Sequence, residues 1–559
     1  MDRSRDLSRP LEELHPNERI KADSRLLRGT IEAGLADRIT GSFAADDTQL
    51  SKFHGFYQQD DRDLRDERRR QKLEPAYQMM LRLRLPGGIC TPSQWLALDR
   101  IAGEYADGSL RLTTRQTFQF HGVLKHNLQA TIRALDDVRL DTRAACGDVN
   151  RTVMAAANPH QSAIHSAVCD MAKTLSDHFA PQTGAYGEIW LGNERVDPDR
   201  DAEPIYGPTY LPRKFKIGFA VPPANDIDVF SQDLGFIAIT DGNALAGFNV
   251  CVGGGMGRTD NAPATYPRLA DVVGFCRPDQ VLAVADAVLG TQRDFGDRVD
   301  RSHARLKYTI DTHGLDWFVG EVAARAGFDL APARPFHFAH NGDRYGWVAG
   351  DNGRWHYTLF IENGRIRDTD GYPLRTTLRR IATESAGEFR LTPNQNLVIA
   401  NVDAGARDRI DTLLQTLERP DRQGALRRNA MACVALPTCG LAMAESERYL
   451  PDLITRLEAL TASAGIGEQP IVIRMTGCPN GCARPYLAEI AFTGRAPGKY
   501  NVYLGGGFHG QRLNRLYLEN VGEQQILDAL APMFQRYAAE REPNEPFGDF
   551  VIRAGYVIA

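Results

Sequence analysis

Four cysteines in the last quarter of the chain form two close pairs. Five residues separate Cys433 from Cys439, and three separate Cys478 from Cys482. Glycine and proline lie next to both pairs, and loops of this composition let four thiolates converge and turn backbone N–H groups toward sulfur. The arrangement favours an iron–sulfur cluster. Structural zinc and buried free thiols are the alternatives, and the first gap exceeds the spacing of about two to four residues that zinc sites favour.

The other five cysteines are scattered, and we expect them to be small core residues. They are Cys90, Cys146, Cys169, Cys251 and Cys276. Nine cysteines in 559 residues are too few for a secreted disulfide scaffold, and a cytosolic chain keeps its thiols reduced.

Basic residues recur beside apolar segments that are typical of strands. They are Arg82, Arg84, Arg111, Arg115, Arg151, Arg213, Lys214 and Lys216. Arg82 and Arg84 alternate with leucines, so on a strand both would point to one face, and an extended Lys214–Lys216 segment would behave likewise. Cations at this density suit a polyanionic ligand, because arginine binds carboxylates through two parallel hydrogen bonds and lysine supplies compact charge and transferable protons. Solvated charges on surface strands are the alternative.

The elements that position these residues occur twice. Residues 108–123 align with 387–402, with Gly, Arg, Leu, Thr, Gln and Val coinciding at six of sixteen positions. Residues 248–255 align with 500–507, and both segments end on three glycines. We call 108–123 and 387–402 the A segments, and 248–255 and 500–507 the B segments. Along the chain they occur in the order A, B, A, B, which predicts a tandem duplication and a pseudo-twofold molecule.

Local signals predict a mixture of helices and strands. Thr91-Pro92 starts a helix that we expect over 93–105, and residues 110–123 are rich in β-branched and aromatic side chains. The three glycines that end each B strand indicate a sharp turn or a close backbone approach. These features predict an α+β (mixed α/β) class. No phosphate-binding glycine loop stands between a strand and a helix, so we infer no nucleotide site on this chain.

Composition excludes several classes of protein. Hydrophobic residues make up 43% and charged residues 25%, and the net charge of −5 argues against nucleic-acid binding. The sequence has neither an N-terminal signal peptide nor an apolar run of about 18 residues, so we expect no membrane span and a cytoplasmic protein. Residues 1 to about 75 are polar, with a charge run over 60–70, and are expected to form a solvated, partly flexible arm.

The chain resembles the nitrite and sulfite reductase sirohaem family. The resemblance spans about residues 20–559, and the segment Thr-Gly-Cys-Pro-Asn-Gly-Cys, together with the spacing of the two cysteine pairs, is its most specific motif. The other matching segments are 53–63, 83–88, 111–122, 210–216, 225–228, 393–396 and the residues around Cys433 and Cys439.

The resemblance implies a pseudo-twofold fold with two ferredoxin-like half-domains. It divides the chain into five parts. These are an N-terminal arm (1–75), a first half-domain (76–145), a sirohaem-binding domain (146–338), a second half-domain (339–420) and an iron–sulfur/sirohaem domain (421–559).

The resemblance also implies the cofactors. A 4Fe-4S cluster would be held by Cys433, Cys439, Cys478 and Cys482, and Cys482 would also bridge to the sirohaem iron. Sirohaem is rich in carboxylates, which would explain the demand for cations. The substrate anion would be met by Arg82, Arg151, Lys214 and Lys216. Positions that match the family's sirohaem contacts are Arg82, Arg111, Thr113, Arg115, Gln119, His121, Arg151, Arg213, Gly253, Gly254, Gly255, Gln395, Asn480 and Arg484.

The activity implied is the six-electron reduction of sulfite to sulfide in sulfate assimilation and cysteine biosynthesis. Reduction of nitrite to ammonia is the alternative; Lys216 favours sulfite, because nitrite enzymes often carry asparagine there and sulfite has one more negative charge. Electrons would come from a separate NADPH-dependent flavoprotein subunit in a hetero-oligomer, or alternatively from ferredoxin. A non-enzymatic four-cysteine scaffold protein, which would bind no haem, is the rival from another class.

Overall fold

The structure is a computed structural model that describes most of the chain. The described residues are 9–157, 162–186, 190–191, 194–195, 203–260, 262–384, 387–417, 419 and 422–558. The first eight residues of the predicted arm lie outside them.

The first half of the chain contains the elements of one A unit and one B unit, which are the folded regions that carry the first A segment and the first B segment. Before residue 145 these are α1 (Pro16–Ala22), α2 (Ile31–Ala36), α3 (Asp47–Leu50), β1 (Phe56–Asp60), α4 (Arg65–Arg70), β2 (Tyr77–Arg82), β3 (Ile89–Cys90), α5 (Pro92–Tyr105), β4 (Leu110–Leu112), β5 (Phe118–Val123) and α6 (Leu128–Asp136). They are followed by β6 (Met154–Ala155), α7 (Ala163–His178), β7 (Trp190–Leu191), β8 (Glu194–Arg195), β9 (Ile217–Ala220), β10 (Leu234–Asp241), β11 (Ala244–Val252), β12 (Asp271–Cys276), α8 (Val281–Phe295), α9 (Leu306–His313) and α10 (Leu315–Ala326).

The second half repeats this order. Its A unit contains β13 (Gly346–Ala349), β14 (Trp355–Leu359), β15 (Arg365–Ile366), β16 (Asp368–Thr369), β17 (Tyr372–Pro373), α11 (Leu374–Glu384), β18 (Glu388–Leu391), β19 (Leu397–Val402) and α12 (Arg407–Leu414). Its B unit contains α13 (Ala425–Arg428), β20 (Ala430–Ala432), α14 (Leu450–Ser463), β21 (Ile473–Thr476), β22 (Ile490–Ala496), β23 (Lys499–Leu504), β24 (Arg515–Val521), α15 (Glu523–Glu540) and α16 (Phe547–Arg553).

The two A sheets exchange their last strands. Their strand orders are β1-β2-β5-β4-β15 and β13-β14-β19-β18-β3. Arg365 of β15 lies opposite Arg111 of β4, and Ile89 of β3 lies opposite Arg390 of β18, which are equivalent pairings. The exchange confirms the predicted duplication and means that neither A sheet is complete without the other half of the chain.

The two B sheets are also equivalent. Their orders are β12-β11-β10-β9-β6 and β24-β23-β22-β21-β20. In each, the three strands nearest the β6 or β20 edge run parallel and the remaining two antiparallel. Parallel neighbours present their carboxyl ends at one edge of the sheet, where α/β proteins bind ligands.

The helix predicted over 93–105 is α5, and its start has the expected chemistry. The Thr91 hydroxyl accepts from the Gln94 N–H at 3.2 Å, while the Gln94 side chain accepts from the Thr91 N–H at 3.0 Å. This reciprocal pair satisfies N–H donors that the helix cannot, and Pro92 in the first turn has no N–H that would need a partner. The buried Trp95 packs against Phe118 of the first A sheet and Phe389 of the second, at ring-centroid distances of 5.6 and 4.6 Å. One core therefore joins the two A units.

Two expectations about charged residues are wrong. Strand β2 ends at Arg82, and Arg84 pairs with Asp141 and Asp177, so it does not share the environment of Arg82. The solvated-arm interpretation fails for much of 14–60, where Glu18 and Lys21 are 1% and 2% exposed. Leu50 and Phe53 are also buried, although residues 38–40 and 44–46 are exposed. Composition cannot distinguish charges that are paired in the interior from charges that face water, whereas the charge run in α4 is indeed exposed.

A buried ion cluster of Asp228, Arg474 and Arg484 joins the units. Asp228 and Arg484 are equivalent in the duplication: each has a left-handed backbone, with φ of 49° and 53°, at the start of a short 3-10 helix. Arg484 Nε donates to Asp228 Oδ2 at 2.5 Å, and Arg474 Nη1 lies 2.7 Å from the same oxygen. Equivalent residues can contact each other only near the pseudo-twofold axis.

Arg484 also connects the A units. Its Nη1 donates to the carbonyl oxygen of Thr114 at 2.8 Å, and its Nη2 to that of Pro393 at 3.1 Å. Thr114 and Pro393 occupy equivalent positions in the two aligned A segments. One guanidinium thus contacts the other three units from the fourth.

No helix in the described part of the chain is both long and apolar enough to cross a membrane. The division of the chain into five parts, with boundaries at residues 76, 146, 339 and 421, stays a prediction. Strands β1, β3 and β15 each pair with a strand that lies on the other side of at least one of these boundaries.

We predict that Asp228→Asn lowers the free energy of unfolding by about 3–5 kcal/mol, because it leaves two buried arginines without their counter-ion. Urea denaturation measures this loss. The control is Asp279→Asn, which removes an exposed ion pair with Arg277 and should cost less than about 1 kcal/mol. Equal effects of the two variants would contradict the role given to the cluster.

Candidate active site

The four cysteines meet at the carboxyl ends of two neighbouring parallel strands. Cys433 directly follows β20, and its N–H donates to the Met475 carbonyl at 3.2 Å. Cys478 stands two residues beyond β21, the strand next to β20. The loops that follow these strands carry Cys439 and Cys482 back to the same edge. Parallel pairing therefore brings together cysteines that are distant in sequence.

The thiols lie within electrostatic reach of one another. Burial raises the pKa of Cys433, and the charges of Cys482, Cys478 and Cys439 raise it further. Burial and Cys482 raise the pKa of Cys478 to about 12. Thiols that oppose one another's ionisation become thiolates together only if a cation compensates them.

Two donors point at sulfur. The Gly477 N–H lies 3.4 Å from Cys433 Sγ, and Asn480 Nδ2 lies 3.6 Å from Cys478 Sγ. Contacts of this kind tune iron–sulfur clusters. Cys482 is the exposed member of the four, and the Thr114 hydroxyl donates to its carbonyl at 3.0 Å. Among the described residues no three His, Cys, Asp or Glu side chains are grouped closely enough to hold a single metal ion.

Two of the predicted cations, Arg82 and Lys214, lie within electrostatic reach of Cys482. Burial lowers the pKa of Lys214 to about 7, with Arg213 and Arg305 contributing. The pKa of Lys216 is far below its usual value, because of burial and then Lys214. The assignment of the cysteines and the cations to one site stays a prediction.

Arg82 is held by two side chains. When the Gln119 amide oxygen faces Arg82, it accepts from Nε at 3.1 Å and from Nη2 at 2.6 Å. Nη1 donates to Cys146 Sγ at 3.4 Å. Cys146 is buried, as predicted for the scattered cysteines, but it also contacts a candidate anion-binding residue.

Arg151 and Arg115 are buried among backbone carbonyls. Arg151 donates to the carbonyls of Gly147 and Ala145, at 2.8 and 3.3 Å. Arg115 donates to Gln232 at 2.9 Å and to Ile217, yet its Nε is buried without a partner. Burial and Arg151 lower the pKa of Arg115 to about 9.

Arg111 is positioned by Glu447, which sequence reasoning missed. Glu447 accepts from Arg111 Nε at 2.8 Å and from Arg365 Nε at 2.6 Å. Although burial opposes ionisation, these two arginines lower the pKa of Glu447 to about 2. The signal was not local, because Arg111 and Glu447 lie 336 positions apart in the chain.

His121 is buried, and neither ring nitrogen has a hydrogen-bond partner. Burial, Arg365 and Arg111 hold its pKa well below the usual value, so the ring is neutral. It borders a cavity of about 1230 Å³ that Arg365, Glu447 and the 434–438 loop also line.

Of the three glycines after β11, Gly254 packs against backbone, whereas Gly253 and Gly255 pack against side chains. A Cβ on Gly254 would lie 2.3 Å from the Phe230 carbonyl oxygen, so only glycine fits. Arg305, which pairs with Asp233 through both carboxylate oxygens, and Lys307, whose Nζ donates to the Gly255 carbonyl at 3.2 Å, stand beside this segment. Neither was predicted, although the Arg-x-Lys spacing resembles that of the predicted Lys214–Lys216 pair.

The remaining candidates make contacts within the protein. The Thr113 hydroxyl accepts from the N–H of Arg115 at 3.2 Å. Gln395 donates to the Ala432 carbonyl at 3.0 Å, directly before Cys433. Arg213 lies 4.0 Å from Asp148. Gly253 has a left-handed φ of 86°, and every nitrogen of the Arg484 guanidinium already donates to protein oxygen.

The residues present fit a carboxylate-rich ring and a cluster. Arg115 Nε and the one N–H of the neutral His121 ring require acceptors that the described residues do not supply. A buried polar atom without a partner costs about 1–3 kcal/mol, so a ligand rich in acceptors would offset a real penalty. The donor set at the cysteine end is that of an iron–sulfur cluster.

Comparisons with known proteins agree with this fit. A family model described as the nitrite/sulfite reductase ferredoxin-like half domain matches residues 70–138 and 348–417. A second, described as the nitrite and sulphite reductase 4Fe-4S domain, matches residues 170–330. The second match covers the first B unit, whereas the four cysteines lie in the equivalent second B unit.

Curated relatives match the whole chain. A protein of Methylocella silvestris named sulfite reductase (NADPH) hemoprotein beta-component is 62% identical over 559 residues, covering 100% of this chain and 97% of its own. A protein of the same name from Nitrobacter winogradskyi is 59% identical with the same coverage. The solved structure of the Mycobacterium tuberculosis NirA protein superposes with a TM-score of 0.76 at 25% identity, covering 98% of this chain and 97% of that one.

We predict that Gly254→Ala displaces the segment beside Arg305 and Lys307, because the added Cβ would overlap two backbone oxygens. The expected result is a loss of about 1–3 kcal/mol of stability, the usual cost of overpacking, measured by urea denaturation. The control is Gly320→Ala in α10, where a Cβ meets nothing within 4 Å; there the change should be neutral or slightly stabilising. If Gly254→Ala leaves the free energy of unfolding unchanged, the backbone around Gly254 must move to accommodate the added Cβ, which would contradict the tight packing described here.

Proposed function

This chain belongs to the nitrite and sulfite reductase family, and we propose that it is the haem-bearing subunit of an assimilatory sulfite reductase, reducing sulfite to sulfide. The observation that carries the proposal is the contact of β4 and the turn after it with both cysteine loops. The Thr114 hydroxyl donates to the Cys482 carbonyl at 3.0 Å, and Arg111 Nη2 donates to the Ala432 carbonyl, directly before Cys433, at 2.9 Å. These contacts support one site that the proposed cluster ligands share with the proposed cofactor-binding residues.

We propose that Cys433, Cys439, Cys478 and Cys482 hold the 4Fe-4S cluster. Sirohaem would be held by residues from three parts of the structure. The first A unit would supply Arg111, Thr113, Arg115, Gln119 and His121, and the first B unit would supply Arg213 and the 253–255 glycines. The second half of the chain would supply Gln395, Asn480 and Arg484. When bound, the two cofactors supply the stored electrons and the open iron position that a six-electron reduction requires.

The protein's own residues supply positive charge at the proposed anion site. Arg82, Arg151, Lys214 and Lys216 place up to four positive charges around the proposed anion site. No carboxylate forms an ion pair with Lys214 or Lys216 in the described part of the chain, so an incoming dianion is the partner that they lack. Preorganised cations in a buried site stabilise an anion more than cations in water do.

The lysines also suit proton supply. A pKa of about 7 lets Lys214 donate and regain a proton near neutral pH. Burial and then Lys214 hold the pKa of Lys216 far below its usual value, and an anion bound beside it would raise that pKa again. The assignment of one or both lysines as donors is part of the proposal.

We further propose that a separate NADPH-dependent flavoprotein subunit delivers the electrons in the cytoplasm. The relatives' name, hemoprotein beta-component, supports a second component. Ferredoxin stays the alternative donor.

The decisive test is the absorption spectrum of the purified protein, recorded before and after sulfite is added to the reduced enzyme. Sirohaem bands that shift with sulfite, and sulfide release with reduced viologen as donor, are expected. A colourless protein with stoichiometric zinc would overturn the cofactor assignment. Faster turnover of nitrite than of sulfite, measured as kcat/KM, would replace the substrate.

We predict that Cys482→Ser abolishes sulfide production and changes the haem spectrum, because the exposed thiolate is the proposed link between the cofactors. Iron and sulfide content and the spectrum are the measurements. Cys276→Ala is the matched control: Cys276 is a buried thiol outside the site, and this variant should keep both cofactors. A Cys482→Ser enzyme with the native spectrum would remove Cys482 from this role.

We predict a pH-dependent loss for Lys214→Met. Lys214 is cationic below its pKa of about 7 and neutral above it, so the KM for sulfite of the variant should exceed that of the parent most at low pH. The ratio of the two KM values should fall toward one as pH rises through about 7. Taking the ratio at each pH cancels the ionisation of sulfite itself. The control Lys173→Met, at an exposed ion pair, should leave the ratio near one throughout.

A further inference from the structure

We propose that the N-terminal helix α1 is a positioning element of the anion site, acting through a buried ion cluster centred on Asp148. This Asp148 cluster consists of Glu18, Lys21, Asp148, Arg298 and Arg301. The inference deepens the proposed function and rests on it only for the identity of the anion.

Lys21 of α1 reaches into the first B unit. Its Nζ donates to Glu18 Oε1 at 2.6 Å and to the Leu211 carbonyl at 2.8 Å, and it lies 3.7 Å from Asp148 Oδ2. The contact with Leu211 spans 190 positions of sequence. Leu211 stands two residues before Arg213, so α1 holds the start of the segment that carries Arg213, Lys214 and Lys216.

Asp148 holds the same segment from the other side. Its carboxylate accepts from Arg301 at 2.8 and 2.9 Å, and Arg301 also donates to the Pro212 carbonyl at 3.1 Å. Arg213 Nη1 lies 4.0 Å from Asp148 Oδ1.

Backbone pairing completes the connection. The Leu211 N–H donates to the Asp148 carbonyl at 3.0 Å, and the Phe215 N–H donates to the Val149 carbonyl at 3.0 Å. The Arg151 N–H in turn donates to the Phe215 carbonyl at 2.9 Å. Residues 148–151 and 211–215 therefore form one unit, and that unit carries Arg151 and Lys214 of the proposed anion site.

The cluster is rigid because its charges are buried and paired. Arg298 Nη1 donates to Glu18 Oε2 at 2.6 Å, and Glu18, Lys21 and Arg298 are almost wholly buried. Although burial alone would raise the pKa of Asp148, Arg301 and Lys21 hold it well below its usual value. Removing one member leaves a buried charge without its partner, which shifts the remaining groups.

The test compares Asp148→Asn with Asp294→Asn. Asp294 is a matched control: it is also a buried aspartate between two arginines, Arg293 and Arg325. Both variants should lose stability. Only Asp148→Asn should raise the KM for sulfite, by about tenfold with kcat little changed, since a displacement near 1 Å costs up to about a hundredfold. Lys21→Met should act in the same direction, and Lys21→Arg should restore part of the loss.

A second measurement does not use activity. Hydrogen exchange of the Leu211 and Phe215 amides should be faster in Asp148→Asn and Lys21→Met than in Asp294→Asn. Equal exchange and equal KM in Asp148→Asn and Asp294→Asn would overturn the inference. If Asp148→Asn does not fold, the KM for sulfite and the amide exchange of Lys21→Met test the inference in its place. A wild-type holoenzyme that turns over no sulfite would overturn the proposed function alone, because the exchange result stands without it.

Discussion

The contact between Asp228 and Arg484 is the interaction on which the assembly of this molecule depends. A strict duplication would place two identical residues against each other at the pseudo-twofold axis, but here one position is acidic and the other basic. Because buried ions are stable only when paired, the pair specifies that the first B unit meets the second in one arrangement. Arg484 also contacts both A turns. Cys482 lies two residues before it, so the same contact fixes the end of the loop that carries the exposed thiol.

Paired and unpaired charges have different tasks in this protein. Arg111 with Glu447, Arg305 with Asp233, and Arg301 with Asp148 are buried pairs, and each fixes a segment of the site. Lys214 and Lys216 form no ion pair with a carboxylate among the described residues, and burial lowers the pKa of both. Burial disfavours the charged form of a lysine that has no ion-pair partner, so the two lysines differ from the paired arginines in being open to an added anion.

Sequence reasoning succeeded where the signal is local or repeated. The capping residues Thr91 and Gln94 specify the start of α5 by themselves, and the duplicated segments appear as equivalent sheets. It failed where a partner lies far along the chain. Arg84 pairs with Asp141, Lys21 with Leu211 and Asp148, and Glu447 with Arg111, and no spacing rule links such positions. The polar arm was misjudged for the same reason, since a buried paired lysine and a solvated lysine have identical composition.

By itself the sequence determined the chemistry available here: four cysteines whose spacing suits an iron–sulfur cluster, an excess of cations on apolar segments, and two copies of each unit. Tertiary structure alone decided which of those groups meet. Parallel pairing of β20 with β21 brings Cys433 and Cys478 to one edge, and exchanged strands complete both A sheets. Buried ion pairs between distant residues then distinguish the arginines that have a carboxylate partner from Lys214 and Lys216, which have no ion pair among the described residues. The reason is physical, because residue type fixes charge and hydrogen-bonding capacity, whereas burial and pairing, which set their energies, exist only after the chain has folded.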